Sequence, residues 1–179
     1  MTSNNKIELM APAGNFESLQ AGLDNGADSV YFGVEQLNMR ARATVNFTMD
    51  DLPEIAKRCE SKKVRSYLTL NTIIYDHDLS VVKTLLTKAK EANITAVIAS
   101  DQAVIAMARG IGMEVHISTQ LNVTNIETIK FYSLFADTMV LSRELSLRQV
   151  KSITTQIEKE QIKGPNGNLV EIEIFGHGA

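Results

Sequence analysis

Seven short runs rich in β-branched residues alternate with amphipathic helical stretches along this chain. Each run ends in a small or polar cluster: Pro12-Ala13-Gly14, Gly33, Asn71-Thr72, Ser100-Asp101, Ser118-Thr119-Gln120, Ser142-Arg143-Glu144 and Gly176-His177-Gly178. Repetition of strand then helix builds a parallel sheet, and ligands of such sheets gather at the carboxyl ends of the strands. The polar clusters are therefore where function is sought.

The spacing predicts strands at Ile7–Met10, Ser29–Phe32, Arg65–Leu70, Ala96–Ala99, Glu114–Ile117, Thr138–Leu141 and Val170–Phe175. Between them the apolar period lengthens from two to about 3.6. Four stripes carry the helices: Leu52, Ile55, Ala56 and Cys59; Leu79, Val82, Leu86 and Ala89; Val104, Met107, Ala108 and Ile111; Leu147, Val150, Ile153 and Ile157. Asn15, Asp101 and Asn125 suit N-caps, and Asp51 with Glu54 and Ser146 with Gln149 resemble capping boxes. Gly164-Pro165-Asn166-Gly167-Asn168 marks a tight turn before the last strand.

Two architectures accommodate seven such units, a doubly wound open sheet and a (β/α)8 barrel. The first needs a Gly-rich fingerprint, and Pro12-Ala13-Gly14-Asn15 offers one glycine where three are required. The second needs eight strands and typically about 250 residues. With 179 residues, the chain is expected to be a single α/β domain spanning 1–179, an incomplete TIM-like barrel with about seven parallel strands.

Composition narrows the class. Hydrophobic content of 44% and charged content of 22% are ordinary for a globular domain, and no apolar stretch is long enough to cross a bilayer. The opening residues carry no signal-peptide hydrophobic region, so a cytoplasmic location is expected. Cys59 is the one cysteine, which excludes an intramolecular disulfide and a multi-cysteine metal site made from these residues alone. On a buried stripe it reads as inert packing. A net charge of −3 argues weakly against a nucleic-acid-coated surface, because local patches decide binding. Lys57, Arg58, Lys62, Lys63 and Arg65 form one cluster, whose simplest reading is the solvated face of a helix.

Strand alternation sorts the polar residues. Glu8, His116, Ser118 and Glu173 are expected to point into the lumen, because the opposite, helix-facing side must be apolar. Ile7 and Leu9 would fill that side of the first strand, and Arg143 and Arg40 are candidate partners for the lumen carboxylates. Buried carboxylates need such partners. Glu8, at the start of its strand, reads most simply as structural. Gln120, Arg143, Glu144 and His177, at the strand ends, face the ligand cavity instead. The long irregular stretch from Gly33 to Asp50 carries Asn38, Arg40, Arg42 and Asn46 and is a candidate active-site loop. His-Glu-x-x-His, Gly-x-Ser-x-Gly and Walker motifs are absent, so no catalytic residue is assigned and no metal ligand is expected.

Several strings in register resemble one family. Glu8-Leu9-Met10-Ala11-Pro12-Ala13-Gly14 and Asn25-Gly26-Ala27-Asp28-Ser29-Val30-Tyr31-Phe32-Gly33 look like the opening of the peptidase U-32 family, the collagenase-like proteases. His116-Ile117-Ser118-Thr119-Gln120, Leu141-Ser142-Arg143-Glu144-Leu145-Ser146 and Glu173-Ile174-Phe175-Gly176-His177-Gly178-Ala179 match it in order and spacing. The family's signature continues with cysteines directly after the last string, so the chain is expected to be an N-terminal portion.

The resemblance implies 5-hydroxylation of a pyrimidine in transfer or ribosomal RNA, with RNA as partner. It also implies an iron–sulfur cluster held by the missing cysteines, and prephenate linked to the reaction. The older label is peptidase. Within these residues no cofactor site is expected, and the portion alone should be inactive.

Three functions follow: an RNA-hydroxylating enzyme, a collagenase-like peptidase, or a non-catalytic barrel that binds an anion or a partner. In the first, Arg40, Arg42 and Arg143 would hold phosphate or carboxylate, Asn71 and Gln120 a base edge or carbonyl, and His177 a ligand. An incomplete barrel would also leave two unpaired sheet edges, so self-association is expected.

Overall fold

The strand pairing settles the architecture. A computed structural model describes residues 7–34 and 47–177. In it β1 (Met10–Ala13), β2 (Ser29–Gly33), β3 (Arg65–Leu70), β4 (Ala96–Ala99), β5 (Glu114–Ile117), β6 (Thr138–Val140) and β7 (Glu171–Glu173) pair strictly in chain order. Every pair is parallel. A doubly wound sheet reverses its order at a switch point; this one never does. The strands curl into an incomplete TIM-like barrel, with β1 and β7 outermost.

Helices α1 (Phe16–Asp24), α2 (Leu52–Ser61), α3 (Leu79–Glu91), α4 (Gln102–Gly110), α5 (Ile126–Tyr132) and α6 (Leu147–Glu160) return the chain between strands. Alternation along the strands builds two cores. Val30, Phe32, Leu68, Leu70, Val97, Val115, Ile117 and Met139 pack outward against Leu19, Ile55, Leu86, Val104, Ile129 and Ile153 of the helices. Burying each such side chain contributes about 1.5–3 kcal/mol, so this layer dominates stability. The inner face carries a smaller cluster, Tyr67, Ala96 and Ile98, flanked by Met10 and Tyr31.

The caps fall largely where the sequence put them. Asn15, Asp101 and Asn125 accept from Ser18, Ala103 and Thr128 backbone amides, and Ser146 and Gln149 form a reciprocal box. Ahead of α2 the box is instead Thr48 with Asp51, one turn earlier than Asp51 with Glu54, because a 3-10 turn at Met49–Asp51 precedes the helix. The 163–169 turn closes by pairing Lys163 with Leu169. A Cβ on Gly164 would lie 2.8 Å from the Asp137 Cα, so only glycine lets the hairpin approach β6 so closely.

Other expectations needed correction. The first strand begins at Met10, whose pairing with Ser29 opens the ladder, so Ile7 and Leu9 lie outside it, 88% and 61% exposed. The last strand stops at Glu173, leaving Ile174 and Phe175 half-exposed. Leu147 and Ile111 leave their stripes for solvent at helix ends, while Leu85 and Ile105 are buried in α3 and α4. The basic cluster keeps the solvated helix face expected of it, with Lys57, Lys62 and Lys63 exposed, and only Arg65 departs from it. Arg58 pairs with Glu54 at 2.7 Å, Lys62 with Asp24 at 3.1 Å, and Arg65 turns into the lumen toward Glu8.

Candidate functional site

Register places the inward residues in layers. Tyr31, Tyr67, Ala96 and Glu114 lie level across β2 to β5, and Gly33, Thr69, Ile98, His116, Thr138 and Glu171 form the next level. Glu8, just before β1, closes the amino-terminal end. Its Oε1 accepts a 2.7 Å hydrogen bond from the Tyr67 phenol, and its Oε2 accepts from the Arg65 guanidinium. Burial pushes the Glu8 carboxyl up, but neighbouring Ser29 and Tyr67 hydroxyls and the Arg65 charge bring it below its ordinary value. The Ser29 hydroxyl is buried without a well-formed hydrogen bond, so it acts as a nearby dipole.

Tyr67 also packs its ring against His116, with centroids 4.6 Å apart. His116 is buried, with Nε2 3.1 Å from Glu114 Oε1 and Nδ1 enclosed without a hydrogen-bond partner. That bond to His116 holds the Glu114 carboxyl low, while burial lifts Glu173 above its ordinary value despite His116 nearby. Glu8, His116, Ser118 and Glu173 thus stand on the lumen side.

Glu8 pairs with a residue that was not among the expected partners, of which Arg40 lies outside the described residues. Arg65 pairs with Glu8, because it opens β3 at the same end, whereas Arg143 follows β6 at the opposite end. Arg65, Tyr67 and Glu114 were missed. The signal was available: Arg65 and Tyr67 share a face of β3, and Glu114 lies two residues before His116.

The segments after β3, β5, β6 and β7 follow carboxyl ends of parallel strands, so they occupy one end of the barrel. Asn71, directly after β3, donates from Nδ2 to Gln120 Oε1 at 3.3 Å, and the Ser118 hydroxyl donates to the same oxygen. After β6, the Ser142 hydroxyl donates to Glu144, a bond that lowers the Glu144 carboxyl together with its own backbone amide and the Arg143 charge. The Arg143 guanidinium sits 5.8 Å from the Phe175 ring centroid, within cation–π range.

Beside it a cavity of about 240 Å³ is lined by Ser142, Arg143, Leu145, Leu147, Phe175 and His177, among others. Its lining combines the cationic Arg143 with apolar Leu145, Leu147 and Phe175. The structure thus gathers Asn71, Ser118 and Gln120 at one part of the rim, and Arg143 and His177 at another. Arg40 and Arg42, with Asn38 and Asn46, lie outside the described residues.

Among the described residues, no group of three His, Cys, Asp or Glu could hold a metal ion. Cys59 is in the core, and burial pushes its thiol up to about 11. A cluster needs several thiolates, so these residues do not fit an iron–sulfur group. Among them, no helix is long and apolar enough to cross a membrane.

Comparison with known proteins bears on this arrangement. The chain is 53% identical over 175 residues to a protein named collagenase from Porphyromonas gingivalis, covering 98% of this chain and 42% of that one. It is 33% identical to tRNA hydroxylation protein P of Helicobacter pylori, covering 98% of this chain and 40% of the relative. The chain therefore spans about two fifths of the length of these relatives. The solved U32 peptidase Mk0906 superposes with a TM-score of 0.70 at 14% identity, over 97% of this chain and 69% of that one, a likeness of fold. The family model for peptidase family U32 matches residues 14–179, and the chain belongs to that family.

Proposed function

We propose that this chain forms the barrel portion of an enzyme that hydroxylates a pyrimidine in transfer or ribosomal RNA. One coincidence carries the reading. A chain similar over nearly its whole length to a tRNA hydroxylation protein presents cationic and amide groups together at the strand ends. In this reading Arg143 holds a phosphate or the carboxylates of prephenate, with Phe175 and the other apolar lining residues taking the ligand's hydrophobic body. Asn71 and Gln120 hydrogen-bond a base edge, and His177 orients the ligand at the cavity mouth. Arg40 and Arg42, outside the described residues, are further candidate cationic contacts for the ligand. Any iron–sulfur cluster draws its thiolates from outside these residues. An RNA substrate puts the protein in the cytoplasm.

The test is Arg143→Ala in the full-length protein, with hydroxylated nucleosides quantified by mass spectrometry. At least a tenfold loss of product is expected, since a charge-assisted contact is worth about 1.5–3 kcal/mol. Unchanged modification removes Arg143 from the site.

The 53% identical relative named collagenase favours a second reading, peptide hydrolysis. Against it, among the described residues His116 is bonded to Glu114 and His77 lies beside Asp78, while no serine or cysteine bonds to any histidine. A neighbouring base of that kind is one common way to activate a hydroxyl or thiol nucleophile. Gelatin cleavage by purified full-length protein, abolished by one point substitution, would promote this reading.

A further inference from the structure

The connection from β3 to α3 carries a feature that the roles above leave unused. Tyr75 is 60% exposed, and its ring lies parallel to that of His77, with 2° between the planes and 5.7 Å between centroids. The His77 side chain is 80% exposed. The backbone that carries both rings is held. The Tyr75 amide donates to Asp78 Oδ2 at 2.9 Å, and the Asp78 amide donates back to the Tyr75 carbonyl at 2.8 Å, locking the 3-10 turn Asp76–Asp78 that leads into α3.

We propose that Tyr75 and His77 form a stacking platform for an unpaired base of the RNA substrate. The proposal rests on the RNA reading above and adds a recognition surface to it. Its position supports it: the pair sits on the same connection as Asn71, four residues downstream, at the end of the barrel where ligands gather. Its geometry supports it too, since two parallel, stacked and exposed rings extend a π stack onto which a base can add. Asp76 and Asp78 beside the rings repel phosphate, so the platform takes a base face while the backbone runs elsewhere. Aromatic anchors for protein partners sit characteristically in enclosed pockets, whereas this pair stands open.

The experiment measures binding of the full-length protein to a labelled RNA hairpin with an unpaired loop. A fully paired duplex of the same composition serves as the comparison. Tyr75→Ala and His77→Ala should weaken hairpin binding about tenfold while leaving duplex binding unchanged. Tyr75→Phe, which keeps the ring, should bind like the parent, and circular dichroism checks that each variant is folded. Ultraviolet crosslinking of the hairpin should attach to the peptide containing Tyr75.

Equal hairpin binding by Tyr75→Ala and parent overturns the platform and leaves the RNA reading standing. So does a uniform loss on hairpin and duplex. Loss of gelatin binding instead would make the surface a protein contact and overturn the proposal. A parent that binds neither RNA overturns the RNA reading itself.

Discussion

The Tyr67 phenol donates a 2.7 Å hydrogen bond to Glu8 Oε1, tying the third strand to the segment ahead of the first. Arg65 joins the same carboxylate from the start of β3. Glu8→Ala leaves a buried phenol and a half-buried guanidinium without their acceptor. Losses of that type run about 1–3 kcal/mol, and the partial exposure of Arg65 puts the expectation near the lower end. Tyr67→Phe removes one donor and should cost less, because Arg65 still satisfies Glu8. Urea unfolding of the two variants and the parent checks the order.

The lumen carboxylates make opposite contributions to pH dependence. Glu8 and Glu114 sit below their ordinary value of 4.5, so they add stability above it that is lost as pH falls through their depressed values. Glu173 is raised, so its contribution is full below 4.5 and is lost as pH rises through its elevated value. Glu173→Gln should therefore stabilise the protein at neutral pH, with the gain shrinking as the solution is acidified. Thermal melts across that range decide it; a gain that grows with acid contradicts the assignment.

Gly164→Ala is expected to destabilise by about 1–3 kcal/mol, the usual cost of forcing atoms into a filled space. The new methyl meets both the backbone and the carboxylate of Asp137, and that carboxylate already accepts from the Asn166 amide at 2.9 Å. Gly167, with φ of +80° and open space around it, should lose less on substitution by asparagine, which tolerates that backbone region. Comparing melting temperatures of the two variants separates crowding from backbone strain.

Among the described residues, β1 and β7 each have a strand on one side only. Ile174, Phe175 and Leu147 add exposed apolar surface near the β7 edge. The 179-residue chain alone should therefore self-associate through these edges, giving a sedimentation coefficient that rises with concentration. A single concentration-independent monomer boundary would refute this.

Much of the sheet was legible because β5 alternates polar and apolar residues, while β4 is a short apolar run bounded by polar residues. The first strand was not. Glu8-Leu9-Met10 alternates just as well as Met10-Ala11-Pro12, and only the ladder with Ser29 decides between them. The rim was legible by position: Asn71, Gln120, Arg143 and His177 each follow a strand, and parallel pairing brings them to one end. Who bonds to whom was not. Periodicity assigns a face but not a height along the barrel, so Arg143 was named as a lumen partner and Arg65 was not. Tyr75 and His77 were also hidden, because two aromatic residues in a loop carry no period and acquire meaning only when their planes align.

The sequential order of the strands bears on how the molecule is made. Each strand finds its hydrogen-bonding neighbour one unit back in the chain, so a nascent polypeptide leaving the ribosome can add units one at a time without waiting for distant sequence. The Glu8 clasp needs only Arg65 and Tyr67, so all of its partners are synthesised before β4 begins at Ala96.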